Sequence, residues 1–130
     1  MLRRRPDEHT WSALEYACHV RDVFETYSTR VARTLVEDEP LLESMERDER
    51  PARERYNEQD PTAVLARLKD ACDRLAATIE RFDPDDWERT ATFDWGERDA
   101  LTMMRNAVHE GAHHLRDIER GLARLAATDS

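Results

Sequence analysis

The chain has 130 residues, a formal net charge of −9 and a pI near 5.0, a length that forms a single domain and buries a core without disulfides. Nucleic acid is excluded as the expected partner, because phosphate binding depends on clustered Lys and Arg and acidic residues are mixed through this chain. Scarce glycine and proline, with abundant Ala, Leu, Glu and Arg, predict an all-α protein.

The first long helix is predicted at residues 10–37. Thr10 or Ser12 can cap its N-terminus, and Pro40 ends it. Its apolar residues recur at helical spacing: Leu14, Ala17, Phe24, Val31 and Leu35. The preceding basic segment, residues 1–9, is interpreted as a solvated N-terminal tail.

A second long helix follows a charged connection. Residues 41–60 contain few apolar side chains and predict a connection that carries a short helix. Asp60 can cap the next helix, Pro61 occupies its first turn, and the Asp83-Pro84 pair stops it. One apolar stripe runs along it: Val64, Leu65, Leu68, Cys72, Leu75, Ile79 and Phe82.

The last helix is predicted at residues 97–126, after a loop over residues 85–96. Aromatic residues in the loop are expected to close one end of the bundle: Trp87, Phe93 and Trp95. No strand is expected. The residues predicted to face inward from the last helix are Leu101, Met104, Val108, Leu115, Ile118, Leu122 and Leu125. Three long helices and short connecting helices over residues 10–127 predict an up-and-down helical bundle.

The cysteines and the hydropathy constrain the cellular setting. Cys18 and Cys72 do not form a disulfide framework, and both are interpreted as packing residues. No apolar run is long enough for a signal peptide or a membrane span, so a cytoplasmic protein without a membrane partner is expected.

Histidines near the C-terminus suggest a metal site. His109, His113 and His114 fall within six residues of the last helix. Because residues four apart lie on one side of a helix, either His109 with His113 or Glu110 with His114 can hold one ion. His19 is the only histidine in the middle of another helix, so it is the expected third ligand.

A helical wheel at about 100° per residue distinguishes the two pairs. Relative to the centre of the inward stripe, His109 points about 140° away and His113 points roughly in the opposite direction. His114 lies about 80° from that centre, and Glu110 lies on the same edge of the helix, further from the centre. The wheel therefore favours His19, Glu110 and His114 as the metal ligands, with the His109/His113 pair as the alternative. Solvated or capping histidines are the competing structural interpretation.

Two segments together resemble a known family. Residues 11–22 read Trp-Ser-Ala-Leu-Glu-Tyr-Ala-Cys-His-Val-Arg-Asp, and residues 109–118 read His-Glu-Gly-Ala-His-His-Leu-Arg-Asp-Ile. They resemble two motifs of the DinB-like superfamily, which includes mycothiol-dependent maleylpyruvate isomerases and other bacterial thiol S-transferases. In the resemblance His19 matches the first metal ligand, and alignment on Ile118 places the other two at Glu110 and His114. The similarity extends from Trp11 to about Leu122.

The resemblance implies a chemistry. Two imidazoles and a carboxylate suit Zn²⁺, with Ni²⁺, Fe²⁺ and Mn²⁺ as alternatives, and leave a coordination position open. A low-molecular-weight thiol is expected to attack a small electrophilic substrate, as in a transferase or isomerase. The alternatives are a metal-dependent hydrolase and a non-catalytic dimerisation module with a vestigial metal site.

The resemblance also suggests supporting residues and a partner. Glu15, four residues before His19, could orient the second ring nitrogen of that histidine, and Asp117 and Asp22 are further candidates for residues that support the metal ligands. Taken singly, each of these carboxylates is more typical of a solvated helix charge. Family members usually carry a helix before the Trp-Ser segment, and only ten residues precede it here. Either the chain is truncated or a partner chain supplies the missing wall, and an apolar seam left open in this way favours a homodimer.

Overall fold

The structure, a computed structural model that describes residues 1–129, is built on three long helices. In chain order the α-helices are α1 (Ala13–Val36), α2 (Arg50–Arg53), α3 (Pro61–Glu80) and α4 (Ala100–Asp129). α1 packs against both α3 and α4, whereas α3 and α4 make no comparable contact within residues 1–129. The predicted all-α bundle of three long helices and short connecting helices is confirmed, with α1 as the central helix.

Side-chain caps fix where the long helices begin. The Ser12 hydroxyl accepts a hydrogen bond from the Glu15 N–H, and the Glu15 carboxylate accepts one from the Ser12 N–H. Asp60 caps α3, with Pro61 in the first turn as predicted. Asp99 accepts a hydrogen bond of 2.7 Å from a backbone N–H in the first turn of α4. Such caps satisfy N–H groups that have no partner inside the helix.

A β-hairpin replaces the loop predicted between the second and third long helices. β1 (Thr90–Phe93) and β2 (Gly96–Asp99) are antiparallel, and the chain turns at Asp94 and Trp95. The prediction of a strand-free loop, with the last helix starting at residue 97, is therefore wrong. Four-residue strands are too short for alternation to be visible in the sequence. The short connections also include 3₁₀ turns at Tyr56–Glu58 and Pro84–Glu88.

The buried face of α4 differs from the predicted one. Leu101, Val108 and Leu115 are 38%, 60% and 55% exposed, so the expectation that they face inward is wrong. The buried side chains of α4 are Ala100, Met103, Met104, Ala107 and Leu125. α4 therefore carries two apolar stripes, and α1 covers only one of them.

Two core clusters surround α1. One contains Val31, Leu42, Leu75, Ala91, Met103 and Met104, with Trp87 and Phe93 packed against it. The other contains Leu14, Cys18, Tyr56 and Val64. Cys18 is buried as predicted, but Cys72 is exposed, so the interpretation of Cys72 as a packing residue is wrong. Trp95 is 61% exposed and does not close the end of the bundle.

The N-terminal segment is attached to the bundle and is not a solvated tail. Arg5 forms a bidentate ion pair with the buried carboxylate of Glu15, with N–O distances of 2.6 and 2.7 Å. Arg4 pairs with Asp129 at 2.7 Å, and the Leu14 N–H donates to the carbonyl of Leu2. Within residues 1–129, none of the helices has the length and apolar character needed to cross a membrane.

Candidate metal centre

α1 and α4 bring the three predicted ligands together. His19 lies in the N-terminal half of α1, and Glu110 and His114 lie one turn apart on α4. Glu110 Oε2 is 2.9 Å from His114 Nε2 and 3.4 Å from His19 Nε2. Their ligand atoms all lie within 4.8 Å of one another. Ligand atoms of a tetrahedral zinc site, each about 2.0–2.2 Å from the ion, are separated by roughly 3.3–3.6 Å, so the spacing fits a metal.

The hydrogen bonds of His114 also fit a metal ligand. Its Nδ1 is 3.0 Å from Asp117 Oδ2, while its Nε2 faces Glu110. A neutral imidazole carries one N–H, so it can donate to only one of these carboxylates. When Nδ1–H donates to Asp117, the Nε2 lone pair points at the Glu110 oxygen, and a cation between them removes the repulsion. Asp117 therefore occupies the orienting position that the sequence suggested.

The charges at the cluster favour the forms that bind metal. Burial lowers the pKa of His19, and the neighbouring His114 lowers it further, which favours the neutral imidazole. Burial alone would raise the pKa of Glu110, but the charge of Arg47 and the contacts with the two histidines outweigh it and hold that pKa below its usual value. Arg47 approaches Glu110 Oε1 to 3.6 Å. Neutral imidazole and ionised carboxylate are the states that coordinate a divalent ion.

Aromatic rings lie against the imidazoles of the two candidate histidine ligands. Trp11 meets His19 edge-on with ring centroids 5.5 Å apart, and Tyr16 stacks on His114 at 5.4 Å. The side chains of His19, His114 and Glu110 are 5%, 15% and 22% exposed, so one edge of the cluster remains accessible. The contact of Tyr16 with His114 was not predicted, although Tyr16 lies one turn before His19 on α1.

The alternative ligand pair lies on the outer face of α4. His109 and His113 are exposed, and their rings stack on each other at 5.9 Å. Within residues 1–129, His109 belongs to no group of three potential ligands. His113 forms a second group with His114 and Asp117, but this group is more exposed and shares His114 with the first.

Two of the suggested supporting residues lie elsewhere. Glu15 binds Arg5 and the Ser12 N–H, and His19 Nδ1 has no hydrogen-bond partner within residues 1–129, so Glu15 does not orient His19. Asp22 accepts hydrogen bonds from Tyr56 Oη and Arg21 Nε in a separate buried network. Both carboxylates stabilise the fold around α1, and neither contacts the ligand cluster formed by His19, Glu110 and His114.

Comparison with known proteins gives matches at the level of family and fold. The family profile of the DinB superfamily matches residues 1–118. The structure of YfiT from Bacillus subtilis, described as a probable metal-dependent hydrolase with an unusual four-helix bundle topology, superposes with a TM-score of 0.83 at 16% identity. The match covers 96% of this chain and 73% of YfiT. No curated protein was found to match the chain.

Proposed function

Because the chain belongs to the DinB superfamily, we propose that it is a divalent-metal protein whose ligands are His19, Glu110 and His114. The observation that carries the proposal is the approach of Glu110 Oε2 to both Nε2 atoms, at 2.9 and 3.4 Å, with the other nitrogen of His114 held by Asp117. Zn²⁺ is the proposed ion, since two imidazoles and one carboxylate match its preferred donors, and Ni²⁺, Fe²⁺ and Mn²⁺ use the same donor types.

The proposed activity is transfer of a low-molecular-weight thiol to a small electrophile, or isomerisation assisted by such a thiol. A divalent ion with an open position would lower the pKa of a bound thiol and so favour the nucleophilic thiolate. The protein supplies the surroundings. Tyr16 and Trp11 limit water access to the imidazoles, Asp117 fixes the His114 tautomer, and Arg47 adds positive charge beside Glu110.

The test is metal content followed by thiol dependence. Protein purified without chelator should contain about one metal per chain, because three protein ligands define one site. The metal-loaded protein should then convert electrophilic substrates only when a thiol is added. Turnover without thiol would favour the hydrolase alternative, in which the same open position activates water. Metal-free protein after purification and reconstitution would refute the proposed site.

Homodimerisation is a second candidate function, and the exposed stripe of α4 favours it. Leu101, Val108 and Leu115 are exposed at seven-residue intervals, and Leu122 continues the spacing. This spacing places apolar side chains along one line of a helix, as in helix pairs that associate through heptads. Sedimentation equilibrium should give twice the chain mass, and Val108→Glu should give a folded monomer. Monomeric wild-type protein at micromolar concentration would refute the dimer.

A further inference from the structure

A cavity of about 530 Å³ lies beside the ligand cluster, a volume typical of small-molecule sites. Met103 and Asn106 line it from α4, and Asn106 lies one turn before Glu110 on the same side of that helix. Arg47 also lines the cavity while it approaches Glu110 Oε1 to 3.6 Å. None of the three candidate ligands lines the cavity, and Arg47 connects the cavity to the ligand cluster through its contact with Glu110.

Three guanidinium groups line this cavity, those of Arg30, Arg47 and Arg98. The guanidinium of Arg30 lies 5.3 Å from the ring centroid of Phe93, and that of Arg98 lies 4.9 Å from that of Trp95. The two aromatic rings stack on each other at 5.0 Å. Stacking on aromatic faces restricts the side-chain conformations of Arg30 and Arg98, while their N–H groups remain available to planar hydrogen-bond acceptors such as a carboxylate.

The positive charge of Arg30 is poorly compensated by the protein. Within residues 1–129 neither Arg30 nor Arg98 forms an ion pair with a carboxylate, and Arg30 donates to a backbone carbonyl. Burial lowers the pKa of Arg30, Tyr27 opposes this effect, and the charges of Arg47 and Arg50 lower the pKa further. A half-buried guanidinium without an anion gains more from a charge-assisted hydrogen bond than an exposed one does.

The acidic residues that line the cavity do not form ion pairs with Arg30 or Arg98. The Glu46 carboxylate pairs with Arg53 at 2.7 Å, and Asp94 is exposed at the turn of the hairpin. Arg47 pairs with Glu110 at 3.6 Å, so Arg30 and Arg98 are the cavity arginines without a carboxylate partner within residues 1–129. In a chain of net charge −9, two such arginines at one cavity attract anionic ligands.

We propose that this cavity binds a carboxylate-bearing organic anion, with the carboxylate held by Arg30 and Arg98 and the opposite end directed past Arg47 to the ligand cluster. The carboxylate is assigned to the electrophilic substrate. The role of the opposite end rests on the proposed metal function, whereas anion binding itself needs no metal. The two proposals can therefore fail separately.

Calorimetric titration of the full-length protein with maleate tests the inference. Maleate should bind both metal-free and metal-loaded protein, and its uncharged diamide should not bind. Arg98→Gln should weaken maleate binding roughly tenfold, the effect of one charge-assisted hydrogen bond. Arg98 is exposed, so this variant should fold, unlike changes at the half-buried Arg30.

Arg120→Gln is the matched control, because it removes the same charge from an exposed position of α4 that does not line the cavity. It should change maleate affinity by less than about twofold, in line with a distant surface charge. Equal binding of maleate and the diamide, or equal losses in Arg98→Gln and Arg120→Gln, would overturn the inference. Unchanged metal content in Arg98→Gln would separate this result from the metal proposal.

A thiol probe distinguishes the source of the carboxylate. N-acetylcysteine carries both a thiol and a carboxylate, and it should bind the metal-loaded protein without displacing maleate. Displacement of maleate would overturn the assignment of the carboxylate to the electrophile.

Discussion

Removal of the Asp117 carboxylate should weaken metal binding although Asp117 is not a proposed ligand. Asp117 Oδ2 lies 3.0 Å from His114 Nδ1, so it holds the N–H on the nitrogen that faces away from Glu110. Loss of such a partner lowers metal affinity about 10–100-fold. The Asp117 side chain is 23% exposed, so water can replace part of the interaction. We therefore expect Asp117→Ala to lie near the tenfold end, equivalent to about 1.4 kcal/mol.

Two further variants make the Asp117 measurement specific. Asp117→Asn keeps an oxygen acceptor but loses the charge, so its loss of affinity should be smaller than that of Asp117→Ala. Glu119→Gln removes an exposed carboxylate two residues further along α4 and should have no measurable effect. Competition titration of Zn²⁺ against a chromophoric chelator measures all of these affinities. If Asp117→Ala bound Zn²⁺ as tightly as Glu119→Gln, the orienting role of Asp117 would be refuted.

Three other predictions concern the buried polar groups and the thiols. Tyr56→Phe should lower the free energy of unfolding by about 1–3 kcal/mol, measured in urea, because the buried hydroxyl donates to Asp22; an unchanged midpoint would contradict this. Burial alone would raise the pKa of Glu15, but hydrogen bonds from Arg5 and Ser12 hold it below its ordinary value of 4.5. The ionised Glu15 carboxylate therefore stabilises the fold above pH 4.5, and this stabilisation is lost as the pH falls through the lower pKa of the folded protein. Urea titrations at several pH values should show that Glu15→Gln removes this part of the acid-dependent destabilisation. Alkylation of the folded protein should modify Cys72, which is exposed, and spare Cys18, since burial raises the pKa of the Cys18 thiol to about 11; mass spectrometry showing both sites modified without denaturant would refute this.

The candidate ligands were predictable because two kinds of local pattern agree. The helical wheel and the family motif both place Glu110 and His114 on one edge of the last helix, and the structure brings that edge to His19. Arg47 was not predictable, since the connection that carries it has no helical period. Its position depends on long-range contacts such as the hydrogen bond from the Leu42 N–H to the Thr92 carbonyl.

The outward leucines of α4 show a different limit of sequence analysis. Leu101 and Leu115 have the same spacing as residues of a buried stripe, and only the position of α1 decides which stripe is covered. The predicted centre of the buried stripe was therefore displaced toward Leu115, but Glu110 and His114 still lie on the side of α4 that faces His19. The hairpin was missed for another reason, because four residues are too few to reveal a period of two.

The most direct test of the metal centre compares metal affinity in wild type, His114→Ala and His109→Ala. The two variants remove the same side chain from the same helix, but His114 lies 2.9 Å from Glu110 whereas His109 faces outward. We expect about one metal per chain in wild type and His109→Ala, and at least a roughly 100-fold weaker affinity in His114→Ala, as follows from loss of one of three ligands. Retained affinity in His114→Ala, or equal losses in the two variants, would contradict the assignment of His19, Glu110 and His114 as the metal ligands.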